Sequence, residues 1–275
     1  MLRSKIKIFL FCFGFLLCIY PMTASLFNDI KQNDIVGTYE DKVEEMDSDK
    51  SLEDELKKAK KYNEVLYNNQ NGIVDKTDIL TEDNYKNIYD ITKTGIMGSL
   101  EIPKIDLRLP IYHGTEDIVL SEGLGHMKES CFPIGGYNTK SVITGHRGLA
   151  DSNLFLRLDE IETDDIFYIK TGKYELAYKV ISIDVVEPDN DDVLRIEDGR
   201  DLVSLVTCTP YGINSHRLIV TGERCFEEVT KKEVAVVTKK MPSFRRIVMN
   251  SMPFVLLIAA VLKIVIRKRR DEYKK

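Results

Sequence analysis

The sequence predicts an all-β barrel or sandwich, extended at its N-terminus and bounded by an apolar segment near each end. Three observations carry that expectation. From Gly98 onward the chain breaks into short β-like runs separated by turn residues, with no long helical pattern between them. Pro103, Pro110, Pro133, Pro188 and Pro210 fall at or just beyond the ends of these runs, where a sheet tolerates them. Within the longest run, Leu176, Tyr178 and Val180 alternate as a half-buried strand requires. The 275 residues, 43% hydrophobic and 30% charged, suffice for one domain of ordinary size plus extensions.

In chain order, Arg3, Lys5 and Lys7 precede the apolar run Ile8–Tyr20, which Pro21 and the small residues Thr23, Ala24 and Ser25 follow. Basic flank, short apolar core and small-residue exit predict a secretory signal or N-terminal membrane anchor over residues 1–25. Asn28–Lys50 is polar and acidic and reads as a stalk. Leu52, Leu56, Ala59, Asn63 and Leu66 recur at helical spacing, with Glu53/Lys57 and Asp54/Lys58 as i,i+4 pairs, so Ser51–Asn69 is expected to be a helix with Ser51 as its N-cap. Gln70–Ile91 reads as an irregular arm lying on the domain, so residues 26–97 form a stalk, helix and arm.

The expected barrel spans 98–226. Its strand candidates are Gly98–Ile102, Leu107–Tyr112, Ser141–Thr144, Ile166–Lys170, Tyr174–Val186, Leu202–Thr207 and Arg217–Arg224, with a single helical turn at Leu154–Leu158. A linker at 227–246 leads to Ile247–Ile266, apolar enough and long enough for a transmembrane helix, and then to a basic tail at 267–275. Basic residues at both termini predict cytoplasmic ends and an outward-facing domain between them. The net charge of -5, with the basic clusters confined to the termini, argues against nucleic acid as a partner.

Candidate chemistry centres on Leu202–Gly222, two β-branched runs joined by a Pro-, Gly- and Asn-rich loop. If the turn is centred between Gly212 and Ile213, Cys208 and Arg217 pair directly and point to one face. A thiol becomes a nucleophile beside a base or a cation, and His146, bracketed by glycines just past another β-like run, supplies either. Arg217 can donate to the oxyanion of acyl transfer. His216, next along the strand, faces away from the thiol; His113 and His126 fall in turn-like segments and read as structural. No repeated C-x-x-C spacing argues for a structural zinc site, and no metal or organic cofactor is expected. A Cys131–Cys225 disulfide would leave Cys208 free.

With these residues in view the sequence resembles the sortases, most closely the class C, pilus-assembling sortases. The resemblance rests on Gly98-Ser-Leu-Glu-Ile-Pro-Lys-Ile-Asp-Leu-Arg-Leu-Pro-Ile-Tyr-His-Gly114, Thr144-Gly-His-Arg-Gly148 and Leu205-Val-Thr-Cys-Thr-Pro-Tyr-Gly-Ile-Asn-Ser-His-Arg217, and covers Ser51 to Arg224. It implies an eight-stranded β-barrel transpeptidase in the membrane of a Gram-positive-type bacterium. Such an enzyme cleaves an LPxTG-like sorting signal of a pilin or other surface protein through a thioacyl on Cys208 and transfers it to a lysine amine of a pilin subunit. His146 is then the acid and base, and Arg217 steadies substrate or oxyanion. Ser204 stands where the family usually has Thr. The family's lid motif, Asp-Pro-aromatic, has its nearest match in Asp78, Ile79 and Leu80; Asp78 could meet Arg217, but the Pro and the aromatic are missing, which implies a looser lid. The competing readings are a housekeeping-type sortase acting on cell-wall peptide, a thiol hydrolase of the same fold, and a non-enzymatic surface β-domain that binds a partner.

Overall fold

The computed structural model describes residues 2–46, 49–72, 78–148 and 154–225, together with 251, 255–258, 263 and 266. The chain falls into two compact units, one of residues 1–28 with 240–275 and the other Asp29–Lys239. No helix among the described residues is long and apolar enough to cross a membrane. Of the expected transmembrane span, most of 247–266 lies outside the described residues, as do the linker and the basic tail.

Helix α1 runs from Leu2 to Glu45, so the stretch read as a stalk is helical almost to its end. Val36, Tyr39 and Val43, spaced three and four apart, form its buried stripe. Each buried apolar side chain of this kind is worth about 1.5–3 kcal/mol. Helix α2, Asp49–Gln70, begins two residues before Ser51, which is therefore inside the helix and not its cap. The arm contains a 3-10 turn at Asp78–Leu80 and a short helix α3, Glu82–Asn87.

Eight strands follow: β1 Ile96–Ile102, β2 Leu107–His113, β3 Leu124–His126, β4 Thr139–Thr144, β5 Ile166–Thr171, β6 Tyr174–Val186, β7 Asp201–Thr209 and β8 His216–Cys225. They close into a barrel in the order β1-β2-β3-β4-β7-β8-β6-β5, with β5 returning to β1. The expected eight-stranded barrel is present. The pairs β2–β3 and β4–β7 are parallel and the rest antiparallel. Seven strands correspond to predicted runs; β3 does not, because three residues containing a glycine show no alternation. Its glycine has a physical reason, since a Cβ at Gly125 would strike the carbonyl oxygen of Gly114. The single turn expected at Leu154–Leu158 continues as a 3-10 helix at Leu158–Glu160.

Leu100, Ile111, Ile143, Phe167, Leu205 and Val220 fill the barrel. Helix α1 lies across β1: Tyr39 donates to the Met97 carbonyl at 3.2 Å, and Glu40 reaches Arg108 on β2 at 2.8 Å and Lys170 on β5 at 3.2 Å. Burial works to raise the Glu40 carboxyl, but the two cations outweigh it and hold it below the usual range. The arm is anchored by Tyr85, whose hydroxyl accepts from the Gly114 N–H at 2.9 Å and lies 3.0 Å from Nδ1 of His126. Nε2 of His126 is 2.8 Å from the Cys131 carbonyl, and the Tyr85 hydroxyl donates to the His126 carbonyl at 2.9 Å. Burial pushes His126 down to about 3, so this imidazole is neutral. His113 and His126 are structural, yet they sit at strand ends and not in turns. The suggested Cys131–Cys225 disulfide is absent: Cys131, Cys208 and Cys225 are all free, with Cys131 buried inside the domain and Cys225 half-buried at the end of β8.

Candidate active site

The β7–β8 hairpin turns through Pro210–Ser215, where the Ile213 and Asn214 amides both donate to the Pro210 carbonyl, at 3.1 and 2.9 Å. Gly212 and Asn214 take the left-handed conformation that the turn needs, at φ of 79° and 58°. The outcome is the register in which Cys208 pairs with Arg217, Thr209 with His216 and Thr207 with Leu218. The thiol and the guanidinium therefore share a face.

That face is the outside of the barrel. Val203 and Leu205 point into the main core, whereas Val206, one step out of phase, packs with Val142 and Ile219 in a separate apolar cluster. Cys208 continues the row of Val206, and Arg217 the row of Ile219. Met127, Val186 and Val193 pack against this cluster, which is buried beneath them next to the strand ends that carry the thiol. Sequence reasoning missed it. The available signal was the near-continuous apolar run Leu202–Thr207, which marks a strand buried on both faces.

His146 arrives from β4. Parallel pairing matches Thr139 with Asp201 and ends at Thr144 with Val206, two residues before His146 on one strand and two before Cys208 on the other. Bonds beyond the strand end keep that register: the Gly145 N–H donates to the Val206 carbonyl at 3.1 Å, and the Thr207 hydroxyl donates to the Gly145 carbonyl at 2.7 Å. A Cβ at Gly145 would lie 2.7 Å from Leu124 and 2.9 Å from Phe155, so the turn that presents His146 needs glycine there. Strands β7 and β8 thus contribute Cys208 and Arg217 as a direct pair, and His146 follows the end of β4, the strand beside β7.

A fourth residue went unmarked in the sequence although it lies in the same motif. Arg147 is buried; its Nη1 donates to the Thr209 hydroxyl at 3.1 Å and its Nη2 to Asp159 at 2.5 Å. It ties the residue after His146 to the residue after Cys208. On the outer face further along β7, Ser204 and Thr221 share a hydroxyl hydrogen bond of 3.0 Å.

The proposed lid residues are placed only in part. Ile79 and Leu80 are half-buried against the core. The side chain of Asp78 lies outside the described residues, and the Arg217 guanidinium donates to the Asn214 and His216 carbonyls at 3.4 and 3.3 Å. His216, on the opposite face as expected, has Nδ1 2.8 Å from the Ser215 hydroxyl. No cluster of metal-ligating side chains occurs among the described residues.

A model of the sortase domain matches residues 100–225. Sortase C of Clostridium perfringens, solved with its C-terminal cell wall sorting motif, is 38% identical over 70% of this chain and 99% of that one, with a TM-score of 0.60. The chain belongs to the sortase family. A pilus-related sortase C of group B Streptococcus is 35% identical, over 68% of this sortase and 95% of that chain, with a TM-score of 0.60. Sortase D of Bacillus subtilis is 32% identical over 130 residues, or 46% of this chain. This sortase spans 63% of that curated relative's length and 52% of that of sortase A of Streptococcus agalactiae. The solved structures it resembles are class C sortases, and the family is one of cysteine transpeptidases.

Proposed function

We propose that this sortase is a membrane-anchored cysteine transpeptidase that cleaves an LPxTG-like sorting signal and joins it to a lysine amine of a pilin subunit. The observation that carries the reading is the direct pairing of Cys208 with Arg217 on β7 and β8, with His146 two residues past the end of the adjoining β4. The Cys208 thiolate attacks the scissile carbonyl, and the Arg217 guanidinium is placed on the same face to donate to the oxyanion that forms. His146 gives a proton to the departing amine, leaving a thioester on Cys208. It then takes a proton from the incoming lysine amine, which attacks the thioester and releases Cys208 as the thiolate. The pilin assignment draws on the class C likeness, and the membrane assignment on the two apolar segments. The arm carrying Asp78, Ile79 and Leu80 is read as a lid over this face.

Intact mass of the chain after incubation with an LPxTG-type peptide tests the chemistry. An acyl adduct is expected on the wild type and none on Cys208→Ala; an adduct that survives the substitution, or none on the wild type, would leave a non-enzymatic binding domain as the better reading. With lysine amide added, transfer product in place of free acid separates a transpeptidase from a hydrolase.

A further inference from the structure

The barrel is not fully paired at the end that carries the active site. Strand β5 accompanies β6 only to Lys179, opposite Ile166. One more exchange follows, Asp164 N–H to the Val180 carbonyl at 2.9 Å and Val180 N–H to the Asp165 carbonyl at 2.8 Å. Beyond it a bulge between Val180 and Ser182 re-aims the strand, and residues 181–186 pair with β8 alone. In an antiparallel ladder alternate residues turn their N–H and C=O groups away from the partner. Among the described residues nothing takes those groups on the free side of β6.

This edge is also apolar. Ile181, Ile183 and Val185 are 37%, 37% and 61% exposed, and Asp184 is the only charged residue from 181 to 186. Folded proteins ordinarily guard an edge of this composition or use it. It ends at the Cys208–Arg217 pair, because Val186 pairs with Arg217, which pairs with Cys208. A strand added to β6 would lie three strand spacings from β7, about 14 Å, which roughly four or five extended residues cross.

We infer that the free edge of β6, residues 181–186, is the docking strand for the amine-bearing acceptor: an extended segment of the acceptor protein adds to the edge and delivers its lysine past Arg217 to the thioester. The inference rests on the transpeptidase reading and names where its second substrate binds. Charge selects this occupant. Asp184, Glu187, Asp189 and Asp192 are exposed on and just beyond the edge, and they attract a lysine-bearing chain. Edge-to-edge pairing of two copies would instead bring these carboxylates against their own counterparts. Backbone pairing would supply affinity and the exposed Ile183 and Val185 would supply side-chain contact, as in other strand-addition complexes.

The test uses the full chain, an LPxTG-type donor peptide and two amines: an extended peptide of alternating valine and threonine ending in lysine, and glycine amide, too short to reach the edge. The variants are Ile183→Thr with Val185→Thr, which keeps β-branched shape, and Val185→Lys, which adds repulsion at an exposed position. Acyl-enzyme formation and transfer to glycine amide should stay within about twofold of wild type, while transfer to the long acceptor falls about tenfold, the scale of one lost anchor. Equal losses for the two amines, or none, would overturn the inference while leaving the transpeptidase intact. Absence of acyl-enzyme on the wild type would overturn both. A wild-type dimer that Val185→Lys dissociates, with long-acceptor transfer unchanged, would make a second copy the occupant and overturn it as well.

Discussion

Arg147 illustrates what one side chain contributes at this site. Its guanidinium is 5% exposed, Nε has no hydrogen-bond partner among the described residues, and the other two nitrogens hold Thr209 and Asp159. The bond to Thr209 joins the residue after His146 to the residue after Cys208, so under the proposed function its effect would be on position. A misplacement of about 1 Å at a reacting pair can cost about a hundredfold in rate. Arg147→Lys, which keeps the charge but not the fork, and Thr209→Val, which removes the acceptor, should each lower kcat about tenfold with KM within about twofold. The double variant should be no slower than the slower single, because both remove one bond. Losses that simply multiply, or a fall in melting temperature without a fall in kcat, would make Arg147 a structural residue only. Arg217 was located from sequence for a simple reason: a hairpin turn centred on two residues dictates its own pairing.

The arm shows how an element without helical or strand periodicity is nonetheless placed. Its short helix α3 buries Tyr85 against His126, Phe132 and Tyr62, and the imidazole of His126 is shut away from water. Burial depresses its pKa to about 3 in the folded chain, against roughly 6.5 for a free histidine. Unfolding between those values takes up a proton, so stability rises with pH there and is lost as pH falls below about 6.5 towards about 3. The limiting slope is about 1.4 kcal/mol per pH unit. His126→Gln, which can still donate to the Cys131 carbonyl, should be less stable than wild type at pH 7.5, yet its melting temperature should depend less on pH between 6 and 4. Parallel pH profiles for the two chains would assign the acid sensitivity elsewhere. None of this was legible beforehand, since Tyr85 and His126 are forty-one residues apart and meet only in the packed structure.

At the scale of the whole molecule, the barrel, α2, the arm and the second half of α1 form one unit, and residues 1–28 with 240–275 another. Within the first, α1 from Asp29 onward contributes Val36, Tyr39, Val43 and the Glu40 ion pairs, none of which needs the residues before it. Deleting residues 2–28 should therefore leave the melting temperature within about 3 °C, the size of shift that about 1 kcal/mol produces in a domain of this size. A larger fall on thermal melting by circular dichroism would show that the units are coupled. The stalk reading went astray at this scale: a polar, acidic composition is compatible with a helix that has one buried stripe, and Gln32, Val36, Tyr39 and Val43 supply that stripe once a barrel stands beside it.

The sequence alone determined the properties that depend on local order. Alternation and turn residues specified seven of eight strands, and a turn centred between Gly212 and Ile213 made Cys208 face Arg217, a register that the structure has and the sequence offered only as a condition. Motif likeness named the family and pointed to His146. Tertiary structure alone decided what depends on residues distant in the chain: the parallel β4–β7 pairing whose ends lead to His146 and Cys208, the outward direction of the Cys208–Arg217 pair, and the bridge from Arg147 to Thr209. It also decided that β5 stops short and leaves the end of β6 paired on one side only. These are consequences of barrel closure, and a short-range pattern carries no record of which strand becomes whose neighbour.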